Sequence, residues 1–222
     1  MGLLMNSCNA IVAAALAATV SCAQPLAVAT RGQPANYMIV RPAGASPSQI
    51  HAAGEFQRFT EAMTGVRLAI ATDEGPLPSN AVLIGNTRHT AALLGGPAGL
   101  DGLGADGFRI VTKPPHLLVV GGPARGTLYG VYEVLERFGG CRWYASWHSV
   151  IPRLDRFEIA RTDITQTPAF ALREPFWFDM FDGDLAARNK VNGSNMRLDE
   201  KHGGKIRFGK GFFVHTFNTL CP

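Results

Sequence analysis

The chain has 222 residues, enough for one large domain or for one with part of another. With 46% hydrophobic and 17% charged residues it is not built as a disordered chain, and its net charge of +4 is scattered rather than striped, which argues against nucleic-acid binding. Basic residues concentrate only from Arg188 to Lys210; without the aromatic interleaving of a single-strand binder, that stretch reads as a solvated, glycine-rich loop region.

Residues 10–20, AIVAAALAATV, are apolar but too short for a membrane span, which needs about 20 residues. They read as the core of a signal peptide. Ser21-Cys22-Ala23 offers small residues for cleavage after Ala23, and the alternative is a poor lipobox in which Cys22 carries a lipid anchor. The expectation is a leader over 1–23, a linker over 24–35, and a secreted or periplasmic protein. Cys8 and Cys22 fall in that leader; Cys141 and Cys221 fit no metal pattern, and Cys141 reads as a small buried hydrophobe.

Tyr37 to Arg41 is the first expected strand. Ser46-Pro47-Ser48-Gln49 has capping-box spacing with proline at the first helical position, opening a helix to Gly65 with Ala52, Phe56, Phe59 and Met63 on its apolar face. Arg67 to Thr72 and the apolar run Ala81 to Gly85 read as strands, Arg88 to Leu94 as a short helix. Gly107 to Thr112 and His116 to Gly121 flank Lys113-Pro114-Pro115 as a hairpin, and Arg156 to Ala160 is the last strand expected.

After His116 to Gly121 comes a Gly-Gly turn and a helix with Leu128, Val131, Tyr132, Leu135 and Phe138 at helical spacing, stopped by Gly139-Gly140, then a loop and a strand ending at Tyr144. Gly126 and Gly130 lie one turn apart, where the absence of Cβ lets the helix approach a sheet closely. Glu133 and Arg137 pair on its wetter face. A nucleotide reading fails on spacing: Thr127 stands where a P-loop needs lysine, and Pro123 interrupts G-x-G-x-x-G. Arg125 is left to bind an anion, cap a loop or meet a carboxylate.

The ordered run Arg125-Gly126, Leu128-Tyr129-Gly130 and Arg142-Trp143-Tyr144, followed by Val150-Ile151-Pro152, resembles the N-terminal domain of alpha-glucuronidases, related to the second domain of family 20 beta-hexosaminidases. The resemblance covers about residues 36 to 160. It implies a non-catalytic accessory domain at 36–162 that packs against a sugar-hydrolysing barrel and takes carbohydrate as its partner. The elements themselves predict an α+β fold, a mixed β-sheet with helices packed on it.

The chain changes character at Thr162 to Pro168. Residues 168–222 resemble the truncated beginning of a (β/α) barrel of the uncharacterised-function kind found in bacterial secreted proteins, and a complete barrel needs about 250 residues. Neither a catalytic residue nor a metal ligand or cofactor is assigned, because in related barrels the acids lie on later strands. Three residues are candidates for substrate binding. Arg173, in Phe170-Ala171-Leu172-Arg173, matches the hexosaminidase Phe-x-x-Arg-Gly context except that Glu174 replaces glycine; its guanidinium suits sugar hydroxyls, a uronic-acid carboxylate or a structural salt bridge. Trp177, between Phe176 and Phe178, can stack on a sugar or sit in a strand's core. His215 ends a strand-like stretch and can donate or accept a proton. Asp179 and Asp182 are ligand candidates or solvated acids, and His202, among glycines and lysines, reads as exposed. Two functions remain: the inactive N-terminal region of a glycoside hydrolase, or a stand-alone carbohydrate-binding module.

Overall fold

The first long helix begins where the sequence places its cap. In the computed structural model, which describes residues 24–96, 101–209 and 216–220, Ser46 accepts from the Gln49 N–H while the Gln49 side chain accepts from the Ser46 N–H. Two otherwise orphaned donors are thereby satisfied at the start of α1 (Pro47–Thr64), which stops at Gly65 in the left-handed conformation, φ 76°. Ala52, Phe56, Phe59 and Met63 are all buried, as their spacing predicts.

That face packs on a sheet. The strands are β1 (Leu26–Thr30), β2 (Met38–Arg41), β3 (Ala69–Thr72), β4 (Ala81–Ile84), β5 (Phe108–Lys113), β6 (His116–Gly121), β7 (Arg142–Ala145), β8 (His148–Val150), β9 (Arg156–Ile159) and β10 (Asp163–Gln166). Six of them form one mixed sheet in the order β10-β5-β6-β4-β2-β3, parallel from β3 to β6 and antiparallel at β5 and β10. Side chains alternate between its faces. Ile39, Val82, Ile84 and Val119 meet α1 and α3 (Gly126–Arg137) in the main core, while Val40, Leu83 and Leu118 form a smaller cluster with Leu93 and Leu94 of α2 (Arg88–Leu94). This is the α+β arrangement that the element pattern predicts.

The glycines of α3 act as expected. A Cβ on Gly130 would stand 2.9 Å from Val119 Cγ1, and one on Gly126 would drive into the carbonyl oxygen of Gly107. Cys141 is buried and free, with burial pushing its thiol up to about 11. Glu133 differs from expectation: it pairs with Arg137, yet it is buried beneath Lys190, which also bonds it. Burial raises its carboxyl, and hydrogen bonds from Arg137 and Lys190 more than reverse that, holding it below the usual range.

Three strands lie where none is expected. Residues 24–35, read as a linker, contain β1, which pairs antiparallel with β9 (Leu26 opposite Ile159, Thr30 opposite Arg156) and buries Val28 and Ala29. LAVAT is apolar enough to need a partner, and that partner lies far along the chain. β8 forms a hairpin with β7, and the stretch read as a change of character holds β10, whose Asp163 takes two hydrogen bonds from Arg109 of β5. The leader and Cys22 lie outside the described residues.

Beyond Gln166 no strand occurs among the described residues. A 3-10 turn (Phe178–Phe181), α4 (Gly183–Arg188), a second 3-10 turn (Glu200–His202) and α5 (Phe217–Leu220) follow. Asp182 caps α4 by accepting from the Leu185 N–H, and Leu185, Ala186 and Ala187 enter the main core. Part of the basic stretch from Arg188 is therefore not solvated loop. Arg188 bonds the buried Glu55 of α1, and Lys190 bridges Glu133 and Glu136 of α3.

Candidate functional site

Where the turn before α3 meets the loop before β5, the N–H groups of Arg125 and Gly126 both donate to the Ala105 carbonyl. This fixes Arg125 beside Asp106. Asp106 Oδ1 accepts from Arg125 Nε at 2.7 Å, and Oδ2 accepts from Arg173 Nη2 at 2.6 Å and from Asn192 Nδ2 at 2.8 Å. Asp106 and Arg125 have side chains only 8% and 6% exposed, so these charge-assisted bonds act with little water present.

Both guanidinium groups also hold backbone. Arg125 Nη1 donates to the carbonyls of Gly203 and Gly204; Arg173 Nε donates to Lys190 and Nη1 to Phe170. Arg173 lies 5.7 Å from the centroid of the Tyr129 ring, whose hydroxyl donates to the Val191 carbonyl. Burial, with Asp106 second, raises the Tyr129 pKa, which keeps the phenol neutral. One carboxylate against two guanidinium groups leaves a net positive centre.

That centre floors a cavity of about 330 Å³ with apolar walls that include Leu103, Phe170 and Ile206. Phe170 is 75% exposed. A positive floor with an aromatic rim can hold a small anion or an acidic sugar. Glycoside hydrolysis needs two carboxyl groups facing each other across the bond, and the sole acid among the described residues that line this cavity has both oxygens engaged.

A family model described as glycosyl hydrolase family 67 N-terminus matches residues 24–134, from the approach to β1 into α3. The chain belongs to this family. No curated protein matches it. Among solved structures, one that it resembles is a family GH115 4-O-methyl-alpha-glucuronidase with specificity for decorated arabinogalactans, with a TM-score of 0.55 at 14% identity over 79% of this chain and 28% of that one. Another is a Streptomyces plicatus N-acetyl-beta-hexosaminidase, with a TM-score of 0.45 at 17% identity over 76% of this chain and 30% of that one. The chain thus spans less than a third of the length of either.

Of the residues singled out in the sequence, Arg173 lies in the cavity wall, where its salt bridge to Asp106 is one of the roles its chemistry allows. Glu174, at the departure from Phe-x-x-Arg-Gly, accepts from the Asn195 N–H and side chain. Trp177 lies outside the cavity lining and begins the first 3-10 turn. Phe176, Trp177 and Phe178 are all exposed, because the chain here runs over the surface and not through a strand. His215 lies outside the described residues. Asp179 accepts from the Ser146 N–H and hydroxyl, and Asp182 is spent on its cap. His202, expected to be exposed, is 2% exposed between Asp184 and Asp199. Asp106 and Asn192 escape sequence reading; the single hint is that Arg125 needs a carboxylate.

Proposed function

We propose that this chain is the non-catalytic N-terminal region of an exported, carbohydrate-active glycoside hydrolase of the alpha-glucuronidase type, with residues 168–222 opening its barrel. Membership of the family 67 N-terminal domain supports the enzyme class. The observation that carries the non-catalytic reading is the pinning of Asp106 by Arg125, Arg173 and Asn192, which leaves no free carboxyl among the described residues that line the cavity. The excess positive charge favours a uronic acid over a neutral sugar as the ligand.

The test uses the purified chain with aryl glucuronides and, separately, with glucuronic acid under NMR. No turnover is expected, together with shifts in the Asn192 side-chain and Arg173 Nε signals, the Asn192 shift being lost in Arg173→Gln. Turnover would overturn the non-catalytic reading; glucuronic acid leaving those signals unmoved would remove the uronic-acid assignment. Export rests on the apolar run at 10–20, and the mature protein is expected to begin at Gln24 or at a lipidated Cys22. Mass spectrometry finding residues 1–23 retained in cell-fractionated protein would sink that part.

One observation favours the stand-alone binding module instead. α4 and Lys190 are tied into the helix layer by apolar burial and ion pairs, as in a self-contained fold. On that reading, residues 178–206 resist limited proteolysis as well as α1 and α3 do.

A further inference from the structure

Along the flank of α1, three segments converge. The ring of His51, in the first turns of α1, stands edge-on to that of His202, with centroids 5.7 Å apart. His202 Nε2 lies 2.8 Å from Asp184 Oδ1 of α4, and its Nδ1 lies 2.9 Å from Asp199 Oδ1. Nε2 of His51 is buried with no hydrogen-bond partner. One ligand atom from each of His51, Asp184 and His202 lies within 4.8 Å of the others.

A buried imidazole nitrogen without a partner is costly, and a lone pair there is what a borderline-soft cation takes. We propose that His51, Asp184 and His202 bind a divalent cation of the zinc class. Two imidazoles and one carboxylate are a donor set that zinc accepts, with its fourth tetrahedral position left to water. Nδ1 of His202 faces both the Asp199 carboxylate at 2.9 Å and the Asp199 N–H at 3.2 Å; metal binding selects the tautomer in which Nδ1–H donates to the carboxylate, which leaves the Nε2 lone pair for the metal and fixes the ring. Zinc–ligand bonds of about 2.0–2.2 Å require His51 to turn inward and the contact between His202 and Asp184 to open.

The ligands come from α1, α4 and the second 3-10 turn, so the ion would fasten the 183–202 segment to the helix layer. Two cations oppose it. Lys201 Nζ lies 3.0 Å from Asp184 Oδ1, and Arg188 Nη2 lies 3.5 Å from Oδ2. Lys201 is 46% exposed and can swing out; Arg188 is held by Glu55.

The test titrates zinc, then cobalt, into the full chain, its His51→Gln variant and its Lys201→Gln variant, using calorimetry and absorption. Uptake of one zinc is expected, weakened at least about tenfold by His51→Gln and tightened several-fold by Lys201→Gln. Bound cobalt should show d–d bands without the thiolate charge-transfer band that cysteine ligation would give. The site is disproved by zinc affinity unchanged in His51→Gln, by no uptake in any of the three proteins, or by a thiolate band that accounts for all the cobalt bound. His51 is half-buried and its Nε2 bonds nothing, so the glutamine variant should fold. Should circular dichroism show it unfolded, Lys201→Gln decides: affinity equal to or weaker than that of the parent chain overturns the site.

Discussion

Asp106→Asn is expected to destabilise the chain by about 3–5 kcal/mol, the range for removing one partner from a buried ion pair. Asparagine keeps the shape and one acceptor oxygen. It removes the charge that neutralises Arg125 and Arg173, and it turns an amide donor toward one of them. Because the same guanidinium groups hold the carbonyls of Lys190, Gly203 and Gly204, the loss should extend to the 190–204 segment and not stay local. Asp163→Asn is the comparison: its pair with Arg109 is equally short, but Asp163 is 54% exposed, and the cost should be no more than about 1 kcal/mol. Urea midpoints for the two variants decide the matter. Equal small shifts would show that burial does not strengthen the Asp106 centre.

Gly126→Ala should cost at least about 3 kcal/mol, although alanine is the better helix former by about 1 kcal/mol. The new methyl group would meet the Gly107 carbonyl oxygen and the Gly121 backbone, and neither has a side chain that can swing aside. Relief requires α3 to lift from β5 and β6, which would open the core around Leu128, Val131 and Leu135. Gly54 of α1 gives the contrast: a Cβ there meets nothing within 4 Å, so Gly54→Ala should gain about 0.5–1 kcal/mol. A Gly126→Ala urea midpoint matching that of the parent would mean that the helix sits more loosely than its contacts indicate.

What the sequence made legible is local. Ser46 and Gln49 are three residues apart, the apolar residues of α1 and α3 recur within a turn, and the β5–β6 hairpin closes over Pro114 and Pro115. What it hid is distant. β1 has its partner in β9 and so looked like a linker, and β10 joins β5 from beyond what read as the end of the domain. His202 sits among glycines and lysines that suggest exposure, yet Asp184 and His51 bury it from elsewhere in the chain. The candidate site follows the same rule. Arg125 announced itself through the Arg-Gly pair, and Arg173 through its match to a sugar-binding context. The carboxylate that joins them belongs to a glycine-rich loop with no pattern of its own.

The pairing of β1 with β9 also bears on the order of events as the chain is made. β1 emerges early and must wait for β9 before its backbone has a strand to pair with. Closing so long a loop costs entropy before any contact returns it, and topologies of this kind fold slowly. During synthesis the backbone edge of β1 therefore stays unpaired until β9 has left the ribosome.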